Sequence, residues 1–74
     1  MPLIQVKLIE NALSSEQKRE IIECLTDATV EVVGEPLRKV TWVMIEEVAS
    51  GNWGIGGNAM STADVKTLQA GAPA

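Results

Sequence analysis

Apolar and polar residues alternate from Leu3 to Ile9, with Ile4, Val6 and Leu8 on one face and Leu3, Gln5, Lys7 and Ile9 on the other. A period of two predicts a β-strand. Ser14 stands three residues before Gln17, the spacing of a capping box, and Ser15 and Glu16 add a hydroxyl and a negative charge to a first helical turn. Ile21, Leu25, Ala28 and Val32 recur at helical spacing, Ile22, Thr29 and Val33 widen the stripe, and Lys18, Arg19, Glu23, Asp27 and Glu31 are mostly left to solvent. Gly34 suits the left-handed position after a helix and Pro36 prevents its continuation, so a helix is predicted over Ser15 to Val33.

Val40 to Val48 reads as a second strand, but Val40, Trp42 and Met44 on one face are matched by Val43 and Ile45 on the other. A strand, a helix and a strand with short connections predict a right-handed βαβ unit with parallel strands. One helix covers one face of such a sheet, so the second face calls for another subunit. The run from Gly51 to Gly57 is too rich in glycine for a helix and predicts a turn or short hairpin. Ser61 to Leu68 has room for one or two helical turns, and Ala70 to Ala74 reads as an exposed end. The expectation is an α/β chain, one domain over residues 1–74, with residues 58–74 a less ordered tail.

A chain of 74 residues builds only a small core. Its single cysteine, Cys24, forms no internal disulfide, and the absence of histidine removes the usual zinc ligands, which leaves oligomerisation as the route to stability. With 46% hydrophobic and 22% charged residues the chain is expected to fold. The start MPLIQVKLIE lacks a signal-peptide pattern and no run of about 18 apolar residues occurs, so a cytoplasmic protein with no membrane partner is expected. A net charge of −4 and six scattered basic residues argue against nucleic acid. Without histidine, Ser-His-Asp and Cys-His catalysis are excluded.

Pro2 reads plainly as a proline at the start of a strand. Removal of Met1, which a small following residue permits, leaves it a secondary amine. An α-amino group titrates at about 7.7–8.0 in model peptides and burial favours its neutral form, which makes it a candidate general base. The glycine run fits neither a P-loop nor a dinucleotide fingerprint. Trp53 within it has no local core and must cover a pocket or another subunit. Cys24, beside the helical stripe, reads as a buried structural thiol, and Glu46-Glu47 as a solvated strand end.

Met1-Pro2-Leu3-Ile4, Ser15-Glu16-Gln17-Lys18, Gly34, Pro36-Leu37, Glu46 and Trp53-Gly54-Ile55-Gly56-Gly57 together resemble the 4-oxalocrotonate tautomerase family, over residues 2 to about 57. The resemblance implies a β-α-β subunit with a short C-terminal hairpin, dimers with a four-stranded sheet, and three dimers in a homohexamer. It implies that Pro2 moves a proton in an enol or dienol of a small unsaturated 2-keto acid without metal or organic cofactor. Trp53 falls on the family's aromatic position, an apolar wall that keeps the amine's pKa low by desolvation. The family prototype's two substrate-binding arginines are absent, their regions reading Asn11-Ala12-Leu13 and Thr41. Arg38 and Lys39 lie close to the second, with Lys39 on the strand face of Thr41, and join Trp53 and Ile9 as candidate substrate-binding residues. A lysine lacks the planar fork of arginine, which bears on a dicarboxylate substrate. The alternatives are a dehalogenase or hydratase using protonated Pro2, a non-catalytic oligomeric subunit, and a heterohexamer whose other chain supplies the arginines.

Overall fold

The alternating segment folds as β1 (Leu3–Ile9) and the capped segment as α1 (Ser15–Val33) in a computed structural model that describes residues 1–71. A 3-10 helix (Glu35–Val40), β2 (Trp42–Val48), β3 (Trp53–Ile55), β4 (Asn58–Met60) and α2 (Thr62–Gln69) follow. β1 and β2 pair in parallel, from Leu3 opposite Trp42 to Ile9 opposite Val48, and α1 makes the crossover between them. The mixed α/β architecture is thus a β-α-β unit followed by a short antiparallel hairpin.

Both ends of α1 are closed by local chemistry. The Ser14 side chain accepts from the Gln17 N–H at 3.1 Å, and the Gln17 side chain accepts from the Ser14 N–H at 2.9 Å. At the other end Gly34 adopts φ 106°, and its N–H donates to the Val30 carbonyl at 2.8 Å. The sheet-facing stripe keeps Ile21 and Leu25 of the predicted line, both half-buried, but turns away from Ala28 and Val32. It runs through Leu25, Thr29 and Val30, of which Val30 is buried, whereas Ala28 is exposed and Val32 is 85% exposed. At about 100° per residue the apolar arc of α1 is wider than the strands can cover, so the sheet selects part of it. Cys24 is exposed instead of buried, because it lies beyond the edge of that selected stripe.

The second strand begins at Trp42, and Val40 lies in the 3-10 helix. Pro36 sits in the first turn of that helix, Leu37 N–H donates to the Gly34 carbonyl at 3.1 Å, and Thr41 N–H donates to the Arg38 carbonyl at 3.2 Å. These short-range bonds wind residues 35–40, so Lys39 stands on a helical turn and not on a strand face shared with Thr41. Arg38 braces the turn, its Nε donating to Glu35 and its Nη1 to Asp27 of α1, each at 2.7 Å.

Along the sheet, Ile4, Val6, Val43 and Ile45 are half-buried on the side of α1. The opposite face leaves Leu3, Met44 and Trp42 exposed, Trp42 at 55%. Ile9 and Val30 are the two buried apolar residues among those described. The glycine run does form the expected hairpin. Gly56 and Gly57, at φ 58° and 85°, supply the two consecutive positive angles of a two-residue turn that joins β3 to β4. The expected tail contains β4 and α2, and α2 starts from a second capping box between Ser61 and Asp64. Of the expected exposed end, residues 72–74 lie outside the described residues.

Glu46 is exposed, but Glu47 is more than a solvated strand end. Its carboxylate accepts from Lys18 Nζ of α1 and, at 3.1 Å, from the N–H of Asn11, which adopts φ 58°. The Lys18 hydrogen bond, then that of Asn11, hold the Glu47 carboxyl below its ordinary value of 4.5 against the opposing effect of desolvation. A group with a depressed folded pKa stabilises the fold above its unfolded pKa and loses that contribution as the pH falls through the folded value. Glu47→Gln is therefore expected to lower the urea midpoint at neutral pH, and the gap from the parent protein to close as the pH drops below 4.5. A gap that stays constant across an acid titration of the urea midpoint contradicts this role.

Candidate active site

Pro2 lies half-buried at the start of β1, where a missing backbone N–H costs no ladder bond. Its carbonyl accepts from the Trp42 N–H at 3.0 Å, which fixes the chain start against the start of β2. Because the strands are parallel, the 3-10 helix that leads into β2 reaches the same end of the sheet. Arg38 and Lys39 are therefore carried on the segment beside Pro2. Arg38 is occupied by Glu35 and Asp27, which raise the pKa of its guanidinium further above the ordinary arginine value through hydrogen bonds. Lys39 forms no ion pair among the described residues.

Ile9 and Trp53 are at the other end. Seven residues of β1 span about 23 Å at the usual rise of a strand. Ile9 closes that strand and lines, with Trp53, a cavity of about 280 Å³. Leu13, Met60, Val65 and Leu68 contribute further apolar walls. Within one chain the fold thus groups the five candidate residues in two sets, Pro2 with Arg38 and Lys39, and Trp53 with Ile9.

The position of Trp53 depends on bonds that no local pattern announces. Ser50 N–H donates to the Glu10 carboxylate at 2.9 Å, Thr62 N–H donates to Ser50 Oγ at 2.9 Å, and Thr62 Oγ1 donates to the Glu10 carbonyl at 2.7 Å. This knot ties both ends of the hairpin to the end of β1. Trp53 pairs with Met60 across the hairpin and is half-buried against the cavity. Sequence reasoning missed Val65 and Leu68, whose only signal is an i, i+3 apolar pair in a short helix.

Among the described residues no three histidine, cysteine or acidic side chains are grouped as a metal site, and no helix is long and apolar enough to cross a membrane. The arrangement offers a proline at an accessible strand start, cations beside it, and an apolar chamber walled by tryptophan.

Residues 2–63 match the family model for tautomerase enzymes. The chain is 46% identical over 57 residues to a 2-hydroxymuconate tautomerase of Comamonas testosteroni, covering 77% of this chain and 87% of that protein. It is 33% identical over 61 residues to the probable tautomerase K2 of Dickeya dadantii, covering 82% and 90%. A solved structure from work on 4-oxalocrotonate tautomerase isozymes of Methylibium petroleiphilum superposes with a TM-score of 0.71 at 45% identity, covering 78% of this chain and 90% of that one. TomN, a 4-oxalocrotonate tautomerase homologue in the tomaymycin biosynthetic pathway, gives 0.72 at 29% identity over 99% of this chain and all of its own. With this sequence match and this fold, the chain belongs to the tautomerase family and is an isomerase of the 4-oxalocrotonate tautomerase type.

Proposed function

We propose that this tautomerase moves a proton in the enol or dienol of a small unsaturated 2-keto acid, with the amine of Pro2, freed by removal of Met1, as base and then as acid. The observation that carries the reading is the placement of Pro2. Its carbonyl is pinned by the Trp42 N–H at 3.0 Å while its nitrogen stands at the start of β1, in a chain that contains no histidine. The lone pair of the amine takes the enol O–H proton, the oxygen electrons form the carbonyl, and the displaced π electrons bind the proton that the ammonium returns to carbon. The amine is regenerated, and no electron is gained or lost, so the step calls for no cofactor.

Lys39 holds the substrate carboxylate as a point charge, while Arg38, paired with both Glu35 and Asp27, braces the turn that carries Lys39. Ile9 at the far end of β1, and Trp53 beside it across the cavity, lie too far from Pro2 to wall it within their own chain. The wall over Pro2 is therefore that of a neighbouring subunit, in a homohexamer built as a trimer of dimers. The exposed Leu3, Trp42 and Met44 face supports such an assembly, since a bare apolar sheet face is costly in water.

Sedimentation at micromolar concentration is expected to give a hexamer, and a compact folded monomer there contradicts the shared site. The activity should rise as the pH climbs through the pKa of the Pro2 amine, because only the neutral amine accepts a proton. Trp53→Ala admits water beside that amine and raises its pKa, so the rising limb of the pH–rate profile is expected at higher pH. An unmoved limb in an active variant removes Trp53 from the wall.

Met1 removal provides the direct test. In unprocessed protein the nitrogen of Pro2 is an amide whose lone pair is delocalised into a carbonyl, so that form should be inactive. One preparation is separated by mass into processed and unprocessed chains and assayed for ketonisation of 2-hydroxymuconate and phenylenolpyruvate. Equal rates for the two forms rule out the Pro2 amine as the proton carrier.

A further inference from the structure

We propose that α2 is the specificity wall of this site, and that the substrate is a monocarboxylate 2-keto-acid enol whose alkyl or aryl group docks against Val65, Leu68 and Trp53. The inference rests on the reading that the Trp53 chamber stands over Pro2 of a neighbouring subunit.

Three observations carry it. The chamber is walled by residues from four separate parts of the chain: the end of β1, the loop after it, the hairpin and α2. Together they line an open groove of about 280 Å³, room enough for an aryl group where a closed apolar cavity of about 150 Å³ already admits benzene. Second, the lining is apolar apart from Lys7 and Gln69. A second substrate carboxylate entering here loses its hydration against largely apolar walls, while an apolar group gains by leaving water.

Third, the start of α2 is anchored to the body of the fold. Thr62 at its start bonds both Ser50 and Glu10, and the Ser61–Asp64 box caps it with bonds of 3.1 and 3.0 Å. Val65 and Leu68 then stand one helical turn apart on the face that closes the chamber. The matched family region ends at residue 63, so both residues lie beyond it.

The test compares kcat/KM for phenylenolpyruvate and 2-hydroxymuconate in the processed full-length protein, Leu68→Ala and Leu68→Arg. Leu68 is 45% exposed in the last turn of α2, so neither change removes a core residue. The parent is expected to prefer the aryl monocarboxylate. Leu68→Ala should reduce kcat/KM for it by about tenfold while sparing the dicarboxylate, and Leu68→Arg should reverse the preference. A ratio that neither variant moves overturns the proposal. So does dissociation of the oligomer by Leu68→Arg with the ratio intact in Leu68→Ala, which marks the chamber as a seat for another subunit. Failure of the proline reading shows separately, as equal rates before and after Met1 removal on both substrates. A ratio governed by residue 68 in such a protein leaves the specificity wall standing.

Discussion

A parallel pair of strands needs a crossover between them, and here the chain has one helix with which to make it. The seven-residue ladder from Leu3 and Trp42 to Ile9 and Val48 therefore has α1 on one face and nothing of its own chain on much of the other. The same ladder sets the geometry of the chemistry. It carries Pro2 and the 3-10 helix at one end and delivers the chain to the hairpin at the other. Pairing the strands in this direction is what separates the proline from the tryptophan.

Two polar fixtures keep the ends of this frame in register. Glu47 joins the end of β2 to α1 through Lys18 and to the connecting loop through Asn11, and Glu10 joins the end of β1 to both sides of the hairpin through Ser50 and Thr62. Exposed ion pairs contribute little stability on their own. The value of both fixtures is directional, since the carboxylates of Glu47, which is ion-paired, and of Glu10, which is not, each accept a backbone N–H and so fix the path of the chain where regular structure stops. A chain with two buried apolar residues among those described relies on such fixtures more than a large domain does.

The bounds of β1 and α1 were legible because their determinants are local: strict alternation between Leu3 and Ile9, a Ser14–Gln17 box and Gly34. The start of β2 was not, because Val40 is compatible with strand alternation while Pro36 and the bonds around Leu37 and Thr41 wind the segment. The facing of α1 was legible only in its first half, at Ile21 and Leu25, since the apolar arc satisfies helical periodicity whichever part of its second half packs. At the site, Pro2 and Trp53 stood out by position and by their glycine surroundings. Their separation follows from the register, and the chamber beside Trp53 follows from bonds spanning 40 and 52 residues, which no periodic pattern encodes.

The chain contains two tryptophans and neither tyrosine nor phenylalanine, so its near-ultraviolet emission comes from Trp42 and Trp53 alone. One of these indoles lies on the bare sheet face and the other beside the chamber. Within one chain their surroundings differ. Replacing either one by phenylalanine leaves a single fluorophore, in one case reporting solvent exclusion from the sheet face and in the other the filling of the chamber, with no extrinsic dye attached to either.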